Sequence, residues 1–235
     1  MTAEWWTCRL GLVGYREALA LQERVRAARQ EERIPDTILL LEHPPVYTRG
    51  RRSEPGELPM GEAWYRAQGI DVVDVDRGGK VTYHGPGQLV VYPIVRTDDV
   101  VAFVRTLERA TIAALADEGI AARSRSDEGR NFTGVWVEDR KIGSIGLHVA
   151  RGVTTHGLAV NADNDLQPFG WVTPCGLPDV RMTSIARELG RPGRLPCFTK
   201  RLAHRLSESF DRRQRLVTRT RLERELAATT ATALV

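Results

Sequence analysis

A cysteine bounded by proline and glycine, a lysine among arginines and a glycine-rich run holding a histidine have settings for chemistry in this 235-residue sequence. Cys175 stands in Thr173-Pro174-Cys175-Gly176. A turn of that kind leaves sulfur accessible and sets backbone N–H groups beside it that can stabilise an oxyanion, whereas structural cysteines usually sit inside strands or helices. Cys175 is therefore a candidate nucleophile. Lys141 opens the run Lys141-Ile142-Gly143-Ser144-Ile145-Gly146, whose glycines let a ligand approach the backbone. Only Lys80, Lys141 and Lys200 are lysines, against 31 arginines. A merely solvated cation at 141 would have been written Arg, and only Lys can exchange a proton with a thiol. A thiolate partner and a carboxylate-binding group both fit Lys141.

The glycine-rich run is Arg77-Gly78-Gly79-Lys80-Val81-Thr82-Tyr83-His84-Gly85-Pro86-Gly87-Gln88. It has neither the spacing of the nucleotide-binding P-loop nor that of the dinucleotide fingerprint, and it leads into a strand rather than a helix. His84 here and His156 further on can each orient a catalytic group or serve as a structural donor. Cys8, on an alternating strand, and Cys197, opening a helix, read as packing residues.

These residues need elements to position them. Apolar periodicity predicts helices over 16–33, 61–68, 98–117 and 197–210, the third with Asp98 and Asp99 at its N-terminus. Strands are expected at 38–41, 70–75, 88–95 and 154–160, with a hairpin of 133–137 and 141–149. The run at 38–41 is apolar throughout, as a strand covered on both faces would be. Residues 164–180 read as a Pro/Gly-rich loop around Cys175. The class is α/β, of α+β type: a single domain with a mixed sheet packed by helices. Its catalytic unit spans 1–210, and 211–235 is an Arg-rich tail, helical or frayed, with no function assigned.

Composition removes other classes. With 42% apolar and 27% charged residues the chain is an ordinary globule, and no apolar run approaches the ~20 residues of a membrane span. The N-terminus has no signal-peptide pattern, so a cytoplasmic location is expected. The net charge of +4 comes from residues 200–235, without the interleaved aromatics of a base-stacking surface, so nucleic acid is not an expected partner. Three scattered cysteines and no paired-histidine motif predict neither a disulfide framework nor a metal site.

The run Arg77 to Gln88, then Lys141 to Gly146, then Pro174-Cys175-Gly176, in this order and spacing, closely resembles the octanoyltransferases of lipoate biosynthesis. The resemblance covers about residues 10–210 and implies the fold of the biotin and lipoate protein ligase catalytic domain. It implies an acyltransferase with a Cys/Lys dyad: Cys175 carries the acyl group as a thioester and Lys141 activates it. Arg77, Gly78, Gly79, Lys80, Val81, Thr82, Tyr83, His84, Ser144, Ile145, Gly146, Gly157, Leu158 and Ala159 would line the substrate, supported by His156. The implied donor is octanoyl acyl carrier protein. The implied acceptors are the lipoyl domains of 2-oxoacid dehydrogenase complexes and the glycine cleavage H protein.

A thioester is already activated, so transfer of octanoyl or lipoyl to a lysine amine needs no ATP and no cofactor. Two other readings share parts of this pattern: an ATP-dependent lipoate or biotin ligase, and a noncatalytic acyl-binding module. Cys175 in the Thr-Pro-Cys-Gly loop and a chain with little room for an accessory domain favour transfer over ligation. Because the implied partners are acidic proteins, Arg49, Arg51, Arg52 and Arg77 are expected to steer them.

Overall fold

An uninterrupted apolar run can be a strand only where both faces are covered, and residues 38–41 meet that condition: Ile38 and Leu40 enter one core, Leu39 and Leu41 another. The computed structural model describes residues 3–172 and 180–228. In chain order its strands are β1 (Glu4–Leu12), β2 (Thr37–Glu42), β3 (Val46–Arg49), β4 (Asp71–Asp74), β5 (Thr82–His84), β6 (Gln88–Ile94), β7 (Arg123–Ser124), β8 (Gly134–Val137), β9 (Arg140–Ala150), β10 (Val153–Asn161), β11 (Arg181–Met182) and β12 (Arg213–Val217). The helices are α1 (Tyr15–Gln30), α2 (Glu62–Ala67), α3 (Val100–Ala116), α4 (Ile185–Leu189), α5 (Leu195–Ser209) and α6 (Arg219–Ala227).

Among the described residues, nine strands form one mixed sheet in the order β12-β1-β2-β6-β10-β9-β8-β7, with β11 added beside β9. β12, β1 and β2 are parallel, and β2 through β10 to β7 are antiparallel. One face carries α3 and α5, whose Phe103, Leu107, Leu115, Phe198 and Leu202 pack on Ile38, Leu40, Leu89 and Val91. The other face carries α1 and α6, through Leu21, Val25, Leu222 and Leu226. A second sheet, β4-β3-β5, has its own core of Tyr47, Tyr65, Tyr83 and Phe169.

The single α/β domain with a mixed sheet stands as the sequence implies. α3 begins at Val100 rather than 98 because Asp99 is its cap, accepting a hydrogen bond from the Ala102 N–H at 2.9 Å. The Arg-rich stretch set apart at 211–235 needs correction up to residue 227. β12 pairs in parallel with β1, Trp5 opposite Gln214 and Cys8 opposite Val217, and α6 is capped by Thr218 and buries Leu222 and Leu226. An edge strand bonds on one side only and exposes much of its surface, which is why Arg213, Arg215 and Leu216 tolerate solvent. No helix of the described residues is long and apolar enough to cross a membrane.

Candidate active site

Side chains on a strand alternate between faces, so residues two apart on neighbouring strands share one surface. Ala159 on β10 pairs with Val90 on β6 and with Ser144 on β9, and Gly157 pairs with Gly146. These residues form the floor of a cleft on the α1 side of the large sheet, with Tyr92 beside them and Ile145 and Leu158 completing the wall. The segment 79–84 lies over it. The cavity is narrow, about 60 Å³.

Two glycines make this arrangement possible. A Cβ on Gly146 would stand 2.8 Å from the Gly78 carbonyl oxygen, so glycine lets the loop lie on β9, where the Gly78 N–H donates to the Leu147 carbonyl at 2.8 Å. A Cβ on Gly157 would stand 2.1 Å from the Val91 carbonyl oxygen, which the close β6–β10 approach forbids.

The loop is clamped from its far side. The Arg77 guanidinium is 7% exposed and donates to the Thr48 carbonyl at 2.8 Å and to Thr48 Oγ1 at 2.6 Å. The Val81 N–H donates to Glu57 Oε2 at 3.1 Å, and Lys80 Nζ lies 2.7 Å from Glu54 and 3.1 Å from Glu57. Two of the four arginines expected to meet partners are thus otherwise engaged: Arg77 is buried in this clamp, and Arg49 pairs with Asp74 and Glu62. Arg51 and Arg52 are exposed.

Of the fourteen substrate-lining expectations, Arg77, Gly79, Lys80, Val81, Thr82, His84, Ser144, Ile145, Gly146, Gly157, Leu158 and Ala159 line this cleft, as does His156. Gly78 lies in the adjoining cavity. Tyr83 does not line the cleft: Thr82 and His84 point one way on β5, so Tyr83 between them points into the core of the small sheet, its ring centroid 5.5 Å from that of Phe169.

One end of the cleft is a neutral polar cluster. His43 Nδ1–H donates to the Val13 carbonyl at 2.7 Å, leaving Nε2 to accept from the Tyr92 hydroxyl at 2.7 Å. His84 Nδ1–H donates to Gln88 Oε1 at 2.7 Å, because the Gln88 amide nitrogen is committed to Tyr83 and Asn161. His156 Nε2–H donates to Asp76 Oδ1 at 2.7 Å, and Tyr15 lies 3.4 Å from its Nδ1. Burial pulls His43 and His156 down to about 4 and His84 well below the ordinary imidazole range, so all three are uncharged near neutrality. Burial opposes the charge on Asp76, yet the His156 hydrogen bond and the neighbouring imidazoles outweigh it and lower its pKa.

His156 holds a left-handed φ of 58° in the middle of β10, a conformation that costs a residue with a Cβ about 1 kcal/mol or more. Its backbone N–H donates to Gln22 on α1 at 2.7 Å, so the strained residue is fixed by both its ring and its backbone.

Lys141 lies at the opposite end, five residues before Gly146 on β9. It is 2% exposed, and its Nζ sits 5.3 Å from the centroid of the Trp136 ring. Glycine at 134 makes space for it, since a Cβ there would stand 2.8 Å from Lys141 Cε. A second cavity of about 220 Å³ adjoins the first and shares Gly79, Lys80, Lys141, Ile145 and Gly146 with it. Cys175, with Pro174 and Gly176, lies outside the described residues. Of the other thiols, Cys8 is buried and pushed up to about 11 by that burial. Cys197, expected to pack, is exposed because it sits in the first turn of α5, whose buried stripe starts at Phe198.

Sequence reasoning missed Tyr15, Val90 and Tyr92 as cleft residues. Alternation on β6 pairs the last two on one face, a signal present in the sequence. Nothing local marks Tyr15, which reaches the cleft only through the docking of α1.

The lipoyl protein ligase A/B catalytic domain model matches residues 14–207. The chain is similar to the octanoyltransferase of Corynebacterium jeikeium (strain K411), 44% identical over 215 residues that cover 86% of this chain and 85% of that protein. It is also similar to the octanoyltransferase of Acidothermus cellulolyticus, 48% identical over 185 residues covering 77% and 80%. Among solved structures, lipoate-protein ligase A bound with ATP has a TM-score of 0.77 at 18% identity, covering 97% of this chain and 93% of that one. Protein Ta0514 of T. acidophilum with bound lipoic acid gives 0.76 at 19%, covering 99% and 95%. At such identities the likeness is one of fold.

Proposed function

The chain belongs to the octanoyltransferases, within the lipoyl protein ligase A/B catalytic family, and is a lipoyl or octanoyl transferase of protein lipoylation; from that premise we propose that it takes the acyl group from an acyl carrier protein thioester and holds it on Cys175. The acceptors are lysine amines of lipoyl domains, in 2-oxoacid dehydrogenase complexes and the glycine cleavage H protein, and the reaction runs in the cytoplasm. The observation that carries this reading is the position of Lys141, at the junction of a narrow, mostly apolar slot and a second, wider cavity. A reacting carbonyl at that junction has its acyl tail in one space and its carrier or acceptor in the other.

In the first half-reaction the Cys175 thiol gives its proton to Lys141 and the thiolate attacks the donor carbonyl. The carrier sulfur leaves and takes the proton back from Lys141. In the second, the acceptor amine attacks the Cys175 thioester, an amide forms, and the thiolate departs to be reprotonated from the amine by way of Lys141. A thiol of ordinary pKa is only a few per cent ionised at neutral pH, so a proton acceptor beside it is required. Gly157, Ala159 and Ser144 floor the acyl slot, Val81 and Thr82 cover it, and His156 and His84 fix its far end without charge.

Incubation with octanoyl acyl carrier protein and no ATP should add one octanoyl mass to the chain, located by peptide mapping on Cys175. Cys175→Ser should lose the adduct and turnover while keeping the wild-type melting temperature. An adduct on Cys197, or transfer at the parental rate by Cys175→Ser, would discard the mechanism. A strict requirement for ATP and free octanoate would mean ligation instead.

A further inference from the structure

The second cavity differs from the first in carrying exposed guanidinium groups on its lining. Its lining combines apolar Val100, Val104 and Ile145 with polar Asn131 and Thr133. Its outer lining adds Arg52 and Arg130, both exposed, and no described carboxylate lines it. Lys80, the third cation nearer the surface, is already neutralised by Glu54 and Glu57. Neither Arg52 nor Arg130 makes an ion pair with a described residue, unlike Arg49, Arg125 and Arg140. The cavity therefore joins the buried amino group of Lys141 and amide- and hydroxyl-bearing side chains to two exposed guanidinium groups.

Both arginines are held in place through their backbone segments, which leaves the guanidinium groups unspent on acids. The Arg52 N–H donates to the Gly79 carbonyl at 3.1 Å, tying it to the loop over the acyl slot. Arg130 lies in a short helical turn, and the segment around it hangs from Glu108 of α3. That carboxylate is 1% exposed and accepts from Ser124, Ser126 and the Gly134 N–H at 2.7–2.9 Å. A buried carboxylate with these donors fixes the segment.

We propose that this second cavity is the subsite for the carrier's prosthetic arm, a thioester joined through amides to a phosphodiester, with the phosphate on Arg52 and Arg130. The inference rests on the thioester-transfer reading above and adds the recognition element. The groups lining the cavity suit those of the arm: Lys141 for the thioester, Asn131 and Thr133 for the amides, Val100 and Val104 for the methyl groups, and the arginines for the anion. Guanidinium forks are the side chains suited to a phosphate. A carrier-borne arm is favoured over a free one because exposed Val101 on α3, next in the chain to the cavity residue Val100, offers apolar surface to a carrier.

Three donors separate the contributions: octanoyl acyl carrier protein, the free octanoyl-phosphopantetheine arm, and octanoyl-pantetheine, which lacks phosphate. Without acceptor, the rate of acyl-enzyme formation is read by intact mass for wild type, Arg52→Ala, Arg130→Ala and the Lys variants at each position. Each Ala variant should slow both phosphate-bearing donors on the order of tenfold, the scale of one charge-assisted hydrogen bond. Octanoyl-pantetheine should react equally with wild type and variants, and Lys should restore part of the loss.

Equal slowing of all three donors, or of none, would overturn the proposal. Slowing of the carrier alone would assign the arginines to the carrier's acidic surface. Slowing only of the later step, from pre-acylated enzyme to lipoyl domain, would assign the cavity to the acceptor. Both results would remove the phosphate subsite while leaving thioester transfer intact; acylation of wild type by no donor would remove the transfer reading itself.

Discussion

Arginine at 141 would keep a fixed positive charge, whereas lysine can also take up and release a proton, so their comparison separates field from proton transfer. Lys141→Arg should lose on the order of 10²-fold or more in turnover, as should Lys141→Ala, the scale of a general acid–base group. Steady-state rates with octanoyl carrier protein decide it, and near-parental activity in the Arg variant would leave charge as the whole effect. The surroundings sharpen the comparison, because Lys141 Cε already lies close to Gly134 and its Nζ faces Trp136. At this scale the sequence was informative where chemistry depends on a contiguous run. Residues 79–82 and 144–146 do line one cleft. It misled at Tyr83, since a motif read as a line ignores the alternation of the strand carrying it. It misled again at Arg49 and Arg77, because burial and ion pairing come from β3 and β4, which no local pattern links to them.

Elements with a full apolar face were readable: β2, α3, the β8–β9 hairpin and α5 lie within a few residues of where periodicity puts them. The short or one-sided elements were not. β3 has four residues after a Pro-Pro turn, β11 has two, and β12 alternates arginine with glutamine and leucine. Such strands are defined by the partner they bond rather than by their own hydrophobicity. That gives β12 and α6 a testable weight. Truncation after residue 210 would unpair β1 from Glu4 to Cys8 and uncover the surface buried by Val217, Leu222 and Leu226. At about 1.5–3 kcal/mol for each fully buried apolar side chain, the loss is comparable to the whole stability of a domain. The truncated chain should be insoluble or melt more than about 10 °C lower; unchanged melting by circular dichroism would show the C-terminal pair to be dispensable.

Across the whole molecule the cluster of uncharged histidines links folding to pH. His43, His84 and His156 have folded values depressed below the unfolded imidazole value. Between about pH 4 and 6.5 the unfolded chain therefore binds more protons, and stability rises with pH across that window. Urea unfolding should show stability falling as pH drops from 6.5 towards 4, by up to about 1.4 kcal/mol per pH unit for each histidine. Calorimetry in two buffers at pH 5.5 should find about three protons taken up on unfolding, and uptake near zero would contradict the buried neutral assignment. The two sheets themselves meet over the cleft, where the Gly78 N–H reaches across to the Leu147 carbonyl. That amide is a natural clock for the seam. Its deuterium exchange measures how often the small sheet lifts from the large one without the chain unfolding. If the acyl chain of the proposed mechanism sits beneath the loop it binds the closed form, so acylated enzyme should exchange Gly78 more slowly than free enzyme, while amides in the middle of α3 keep their rate.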